Sequence, residues 1–187
     1  NPVTTHLNRF WHNLRGVVMI EFVLLLPLML LIWGGMVEFA NVHFAGRKVA
    51  LATQSIADLI AQERSVTIQE LTNLVDAGNA IMFPYPTDTM GYRMQSIAVD
   101  DDGNIEPDPT SWSFSSGQAQ PGAAPLPAQA ESLLTTNDST IYVSVIYTYE
   151  PVSVFGALPG LNELISNITF TEEAFAKPRQ INQIPLE

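Results

Sequence analysis

The residues best placed to do chemistry lie at the mouth of a long apolar run: a glycine behind an arginine, and a carboxylate inside the run. In Arg15-Gly16-Val17-Val18-Met19-Ile20-Glu21-Phe22, Glu21 is the only ionisable residue between positions 17 and 37. A charge in hydrocarbon costs about 2.5–3.5 kcal/mol at mid-bilayer on insertion scales, and less near the edge. Such a carboxylate reads as a group that seeks a cationic partner. The competing reading is an interfacial carboxylate on a plain anchor, snorkelling outward. Gly16, with Arg15 before it, gives the same stretch a second meaning as a processing site.

The rest of the chain offers no rival. It has no cysteine, and its three histidines, His6, His12 and His43, all lie in or beside the N-terminal helical region. Neither a disulfide framework nor a thiolate metal site is available, and the commonest nucleophiles, general bases and zinc ligands are missing beyond residue 43. Asp100-Asp101-Asp102-Gly103-Asn104-Ile105-Glu106 resembles a calcium loop only superficially. An EF-hand begun at Asp100 would need glycine where Ile105 stands and glutamate where Ser111 stands. A solvated hairpin turn is the better reading. No carboxylate pair acquires catalytic geometry from spacing, so the expectation is no enzyme, no catalytic residue, no metal and no cofactor. The formal charge of −11, with only Arg64, Arg93, Lys177 and Arg179 basic in the later two-thirds, argues against a nucleic-acid partner.

These residues need elements to hold them. Residues 17–37 have about the length a helix needs to cross roughly 30 Å of hydrocarbon. Pro27 and Gly34-Gly35 lie inside, as membrane helices tolerate. Pro27 removes one backbone hydrogen bond and is expected to kink the helix there. A cleaved secretory signal would use residues 22–33 as its apolar region, but no small-x-small site follows. Arg9 and Arg15 before the run balance Arg47 and Lys48 after it, so charge alone leaves the orientation open. A short basic leader before the helix and an acidic domain after it favour the N-terminus inside.

Beyond the membrane, Val42, Val49 and Ile56 recur at seven residues, with Ala45, Ala52 and Leu59 offset by three. This apolar stripe extends the helix to about Gln62. Thr67-Ile68-Gln69-Glu70 matches a capping box, opening a short helix that carries Ile68, Leu71, Leu74 and Val75 on one face and has Gly78 as its stop. Strands are expected over residues 92–99, 111–115, 140–149 and 167–175, with Asp102-Gly103 as a hairpin turn. The segments 117–130 and 154–160 read as loop and turn. Helices followed by strands imply an α+β fold with a roughly four-stranded antiparallel sheet. The expected divisions are a leader over 1–16, a membrane helix over 17–38, an amphipathic extension over 39–63 and an α+β domain over 64–187.

The run from Arg15 to Phe22, followed by Leu24-Leu25-Leu26-Pro27, resembles the processing and assembly signal of the TadE/TadF-like pseudopilins (minor pilins) of tight-adherence (Tad/Flp) type IV pili. Val37-Glu38-Phe39, Tyr147-Thr148-Tyr149-Glu150-Pro151 and Pro178-Arg179 add looser matches. The resemblance implies a pilin-like fold and cleavage between Gly16 and Val17 by a prepilin peptidase on the cytoplasmic face. It makes Glu21, next to Phe22, an assembly carboxylate that compensates the new amine of a neighbouring subunit. It further implies a single-pass inner-membrane protein with a periplasmic domain, pilus-associated at the cell surface after assembly. Its partners would be the major pilin, other minor pilins, the inner-membrane assembly platform and the lipid bilayer, in the service of pilus biogenesis, adherence and biofilm formation. The alternative is an uncleaved, membrane-anchored periplasmic binding or adaptor protein.

Overall fold

A computed structural model of the chain describes residues 14–102, 104–105, 110–118, 138–151 and 168–187. Most of the leader, Gly103, most of the 117–130 loop and the 154–160 turn lie outside the described residues. The order is two helices and then four strands: α1 (Leu14–Gln62), α2 (Ile68–Met82), β1 (Met90–Val99), β2 (Trp112–Gly117), β3 (Asp138–Thr148) and β4 (Thr169–Ala176). This is the expected α+β class.

α1 is one helix of 49 residues with two different surroundings. Large apolar residues from Val18 to Trp33 stay exposed, among them Leu24 at 72% and Met19 at 71%, whereas Ala45, Val49, Ala52 and Ile60 are at 0%. The buried half follows the predicted stripe, with one departure. Leu59 is 44% exposed, and Ile60 takes its place in the core. A strict seven-residue repeat drifts by about 20° per heptad around a straight helix, and by its third member the Ala45–Ala52 row has turned out of the contact.

The capping box closes at α2. Thr67 Oγ1 accepts from the Glu70 backbone N–H at 3.2 Å, and the Glu70 carboxylate accepts from the Thr67 backbone N–H at 2.8 Å. Those hydrogen bonds hold the Glu70 carboxyl below its usual range. Gly78 does not stop the helix, which continues to Met82. Its role is close approach: a Cβ there would come within 2.8 Å of the Tyr92 ring and 3.1 Å of Ile56. α2 runs antiparallel to α1, since Gly78 faces Ile56 while the Ile81 carbonyl accepts from Lys48 Nζ at 2.9 Å.

The strands form one antiparallel sheet in the order β2-β1-β3-β4. Register gives each face a composition. Met90, Tyr92 and Met94 stand opposite Tyr147, Val145 and Val143, which stand opposite Phe170, Glu172 and Ala174. This face supplies most of the sheet's share of the core against α1 and α2. The other face carries the Gln95–Tyr142–Phe175 and Arg93–Ser144–Glu173 rows, with Tyr142 donating to Glu173 at 2.8 Å. Glu172 and Glu173 lie on an edge strand, where charge discourages further pairing. The final residues are stitched back across the fold. Trp112 Nε1 donates to the Ile184 carbonyl at 2.8 Å, and Val66 bridges Leu186 in parallel.

Candidate functional site

Two places on α1 concentrate the chemistry. The first is its N-terminal half. Gly16 and Val17 lie in the opening turns of the helix, Glu21 is exposed one turn further on, and Phe22 is 57% exposed. Pro27 sits inside the same helix, which continues past it. The most apolar window is only 6% buried, unlike a core helix of a soluble protein. α1 therefore has the length, composition and exposure of a single-pass membrane anchor. Glu21 finds no partner-bearing element brought up to it from the described part of the fold. Its neighbours are residues of its own helix.

The second place was not singled out as a site from sequence. Glu38, at the end of the apolar run, is 1% exposed, and its Oε1 accepts a 2.7 Å hydrogen bond from the hydroxyl of Tyr149, which is fully buried. A buried carboxylate is tolerated only when hydrogen-bonded, and a charge-assisted bond of this length is among the stronger ones. The Tyr85 ring lies 6.2 Å from that of Tyr149, centroid to centroid. Burial, then the charge of Glu38, pushes the Tyr85 phenol up. Burial likewise pushes Tyr147 up to about 12. These phenols are thus neutral at physiological pH. The cluster joins the end of the apolar run to the residue that follows the inner strand β3, and its chemistry is that of a clamp.

Sequence did contain both halves of this contact, in Val37-Glu38-Phe39 and in Tyr147-Thr148-Tyr149-Glu150-Pro151. Only the fold shows that they meet. The acidic turn, by contrast, is occupied with itself: Asp100 Oδ1 accepts from the backbone N–H groups of Asp102 at 3.0 Å and Asn104 at 2.7 Å. Among the described residues no group of three or more His, Asp or Glu side chains is placed to hold a metal ion.

Residues 16–58 match the family model TadE, described as TadE-like protein. Over this segment the chain is similar to the TadE-like family. The matched segment begins at Gly16 and covers Glu21, Pro27, Glu38 and the buried stripe as far as Asp58. It ends one turn before α1 does, so the sheet lies outside it. No curated protein and no solved structure matches the chain.

Proposed function

We propose that this protein is a TadE-like pseudopilin of a Tad-type pilus system. The observation that carries the reading is the stretch of α1 over residues 18–33, uncovered and apolar all round, with Glu21 as its one ionisable group. A prepilin peptidase cuts between Gly16 and Val17, and the new ammonium of Val17 then lies about 6 Å of helix rise from Glu21. Opposite charges in a low-dielectric medium attract strongly, and pairing relieves the desolvation that each suffers alone. Glu21 meets the amine of a neighbouring subunit, and the single stagger that allows this fixes the axial register. Phe22 and the residues after it supply the packing surface against the major pilin and other minor pilins. Pro27 loosens the helix within that surface. The N-terminus faces the cytoplasm and the α+β domain the periplasm, with the inner-membrane platform and the bilayer as the remaining partners. Adherence and biofilm formation follow from the assembled pilus.

Mass spectrometry of the protein purified from membranes tests the first step. A mature chain starting at Val17 supports the reading, and an intact leader supports an uncleaved anchor instead. The second test is Glu21→Gln, which is expected to insert in the membrane at the wild-type level and to abolish incorporation into the pilus machinery. Normal piliation by that variant would overturn the assembly role.

A further inference from the structure

The helix that crosses the membrane continues unbroken into the domain, so height above the bilayer can be counted along it. If hydrocarbon ends near Val37, Phe39 stands about 3 Å, Phe44 about 10 Å and Arg47 about 15 Å beyond it. The headgroup region adds roughly 5–8 Å on each side of the hydrocarbon. α2 returns toward the membrane, and its end is fixed at this height by the bond from Lys48 to the Ile81 carbonyl. Two residues later comes Phe83, 80% exposed, the most exposed of the large apolar residues described. Two residues further on, the buried Tyr85 lines a shallow hollow of about 420 Å³ together with Phe44, Arg47, Lys48 and Leu51. The membrane-facing rim of the domain thus presents exposed aromatic rings and two cations, Arg47 and Lys48.

We propose that this rim, through Phe83, Phe44 and Arg47, rests in the phospholipid headgroup layer and sets the tilt of the domain on its anchor. The proposal depends on α1 being membrane-spanning. Three features favour lipid over a protein partner. The rim is continuous with the apolar anchor. Aromatic rings settle at membrane interfaces. The arginine stem, leaving the helix toward its N-terminus, lets the guanidinium reach down to phosphate. A tilt of about 20°, ordinary for membrane helices, lowers one side of the domain by several ångströms and closes the remaining gap. Charge refines the partner. Arg47 and Lys48 share this end of the sheet with the exposed carboxylates Asp88 and Glu150. Mixed signs suit a largely zwitterionic surface.

The absence of cysteine makes the test direct, since each single-cysteine variant takes one nitroxide label. Full-length protein carrying Phe83→Cys, Ile68→Cys or Leu28→Cys is placed in vesicles of phosphatidylethanolamine with a minority of phosphatidylglycerol. Power saturation then compares access of oxygen with that of a water-soluble nickel chelate. The label at 83, itself an apolar ring, should favour oxygen, as the label at 28 does. The label at 68, exposed at the far end of α2, should favour nickel. Adding Arg47→Glu should move position 83 toward water. Equal behaviour of positions 83 and 68 overturns the proposal while leaving the anchor intact. A label at 83 shielded from both reagents, with broadening that dilution by unlabelled protein removes, overturns it in favour of a second copy. Failure of position 28 to favour oxygen removes the anchor reading and the rim with it.

Discussion

Glu38 and Tyr149 are 111 positions apart and make one buried 2.7 Å hydrogen bond. Neither side chain can turn to water, because both are almost fully covered. Tyr149→Phe would therefore leave a buried carboxylate short of a donor. Hydrogen bonds to charged groups contribute about 1.5–3 kcal/mol, and a loss of that size in domain stability is expected, read by denaturant unfolding in detergent. Glu38→Gln retains an acceptor and removes the charge, so its cost should be smaller. Combining Glu38→Leu with Tyr149→Phe should recover part of the summed losses, because the two sites share one interaction. Strict additivity would show that the pair is not a clamp. Glu38 was visible in the sequence as a carboxylate closing an apolar run. Its partner was not, since the meeting depends on how the end of β3 is seated against α1.

At the level of elements, the long helix, the capping box and all four strands were legible because each rests on local periodicity or local capping. Misreadings arose where a residue answers to a distant neighbour. Gly78 looks like a helix stop by type, yet it lies within α2 because the Tyr92 ring needs the space. Gly46 on α1 is the parallel case, with Phe170 of β4 at 2.8 Å from a notional Cβ. The two glycines should respond differently to alanine. Alanine favours helix by about 1 kcal/mol over glycine, while overpacking costs about 1–3 kcal/mol. Phe170 is only partly buried and can swing, so Gly46→Ala should be near neutral. Tyr92 is 1% exposed and donates to Asn79 at 2.9 Å, so it cannot yield. Gly78→Ala should lower domain stability by up to about 2 kcal/mol, and an increase in melting temperature would contradict the packing argument.

For the molecule as a whole, burial sorts the ionisable groups so that its two halves respond differently to alkali. Tyr85, Tyr92, Tyr142 and Tyr147 all lie in the domain, and in each burial is the main cause raising the phenol, to about 12 for Tyr147. The unfolded chain releases these protons near pH 10. A folded-state value above the unfolded one gives stability that is complete below about pH 10 and lost as pH rises toward and past the folded value. The domain should therefore hold to about pH 10 and weaken steadily over the next two units. Tyrosinate absorbance should lag behind that of free tyrosine and rise together with the loss of near-ultraviolet circular dichroism. The N-terminal half of α1 contains no tyrosine and satisfies its backbone within the helix. Far-ultraviolet helicity in detergent should consequently fall only in part, leaving the anchor helical after the domain has opened. Full tyrosinate absorbance near pH 10 with the domain signal intact would mean that these phenols reach solvent. Complete loss of helicity in the same step would mean that the anchor depends on the domain for its own structure.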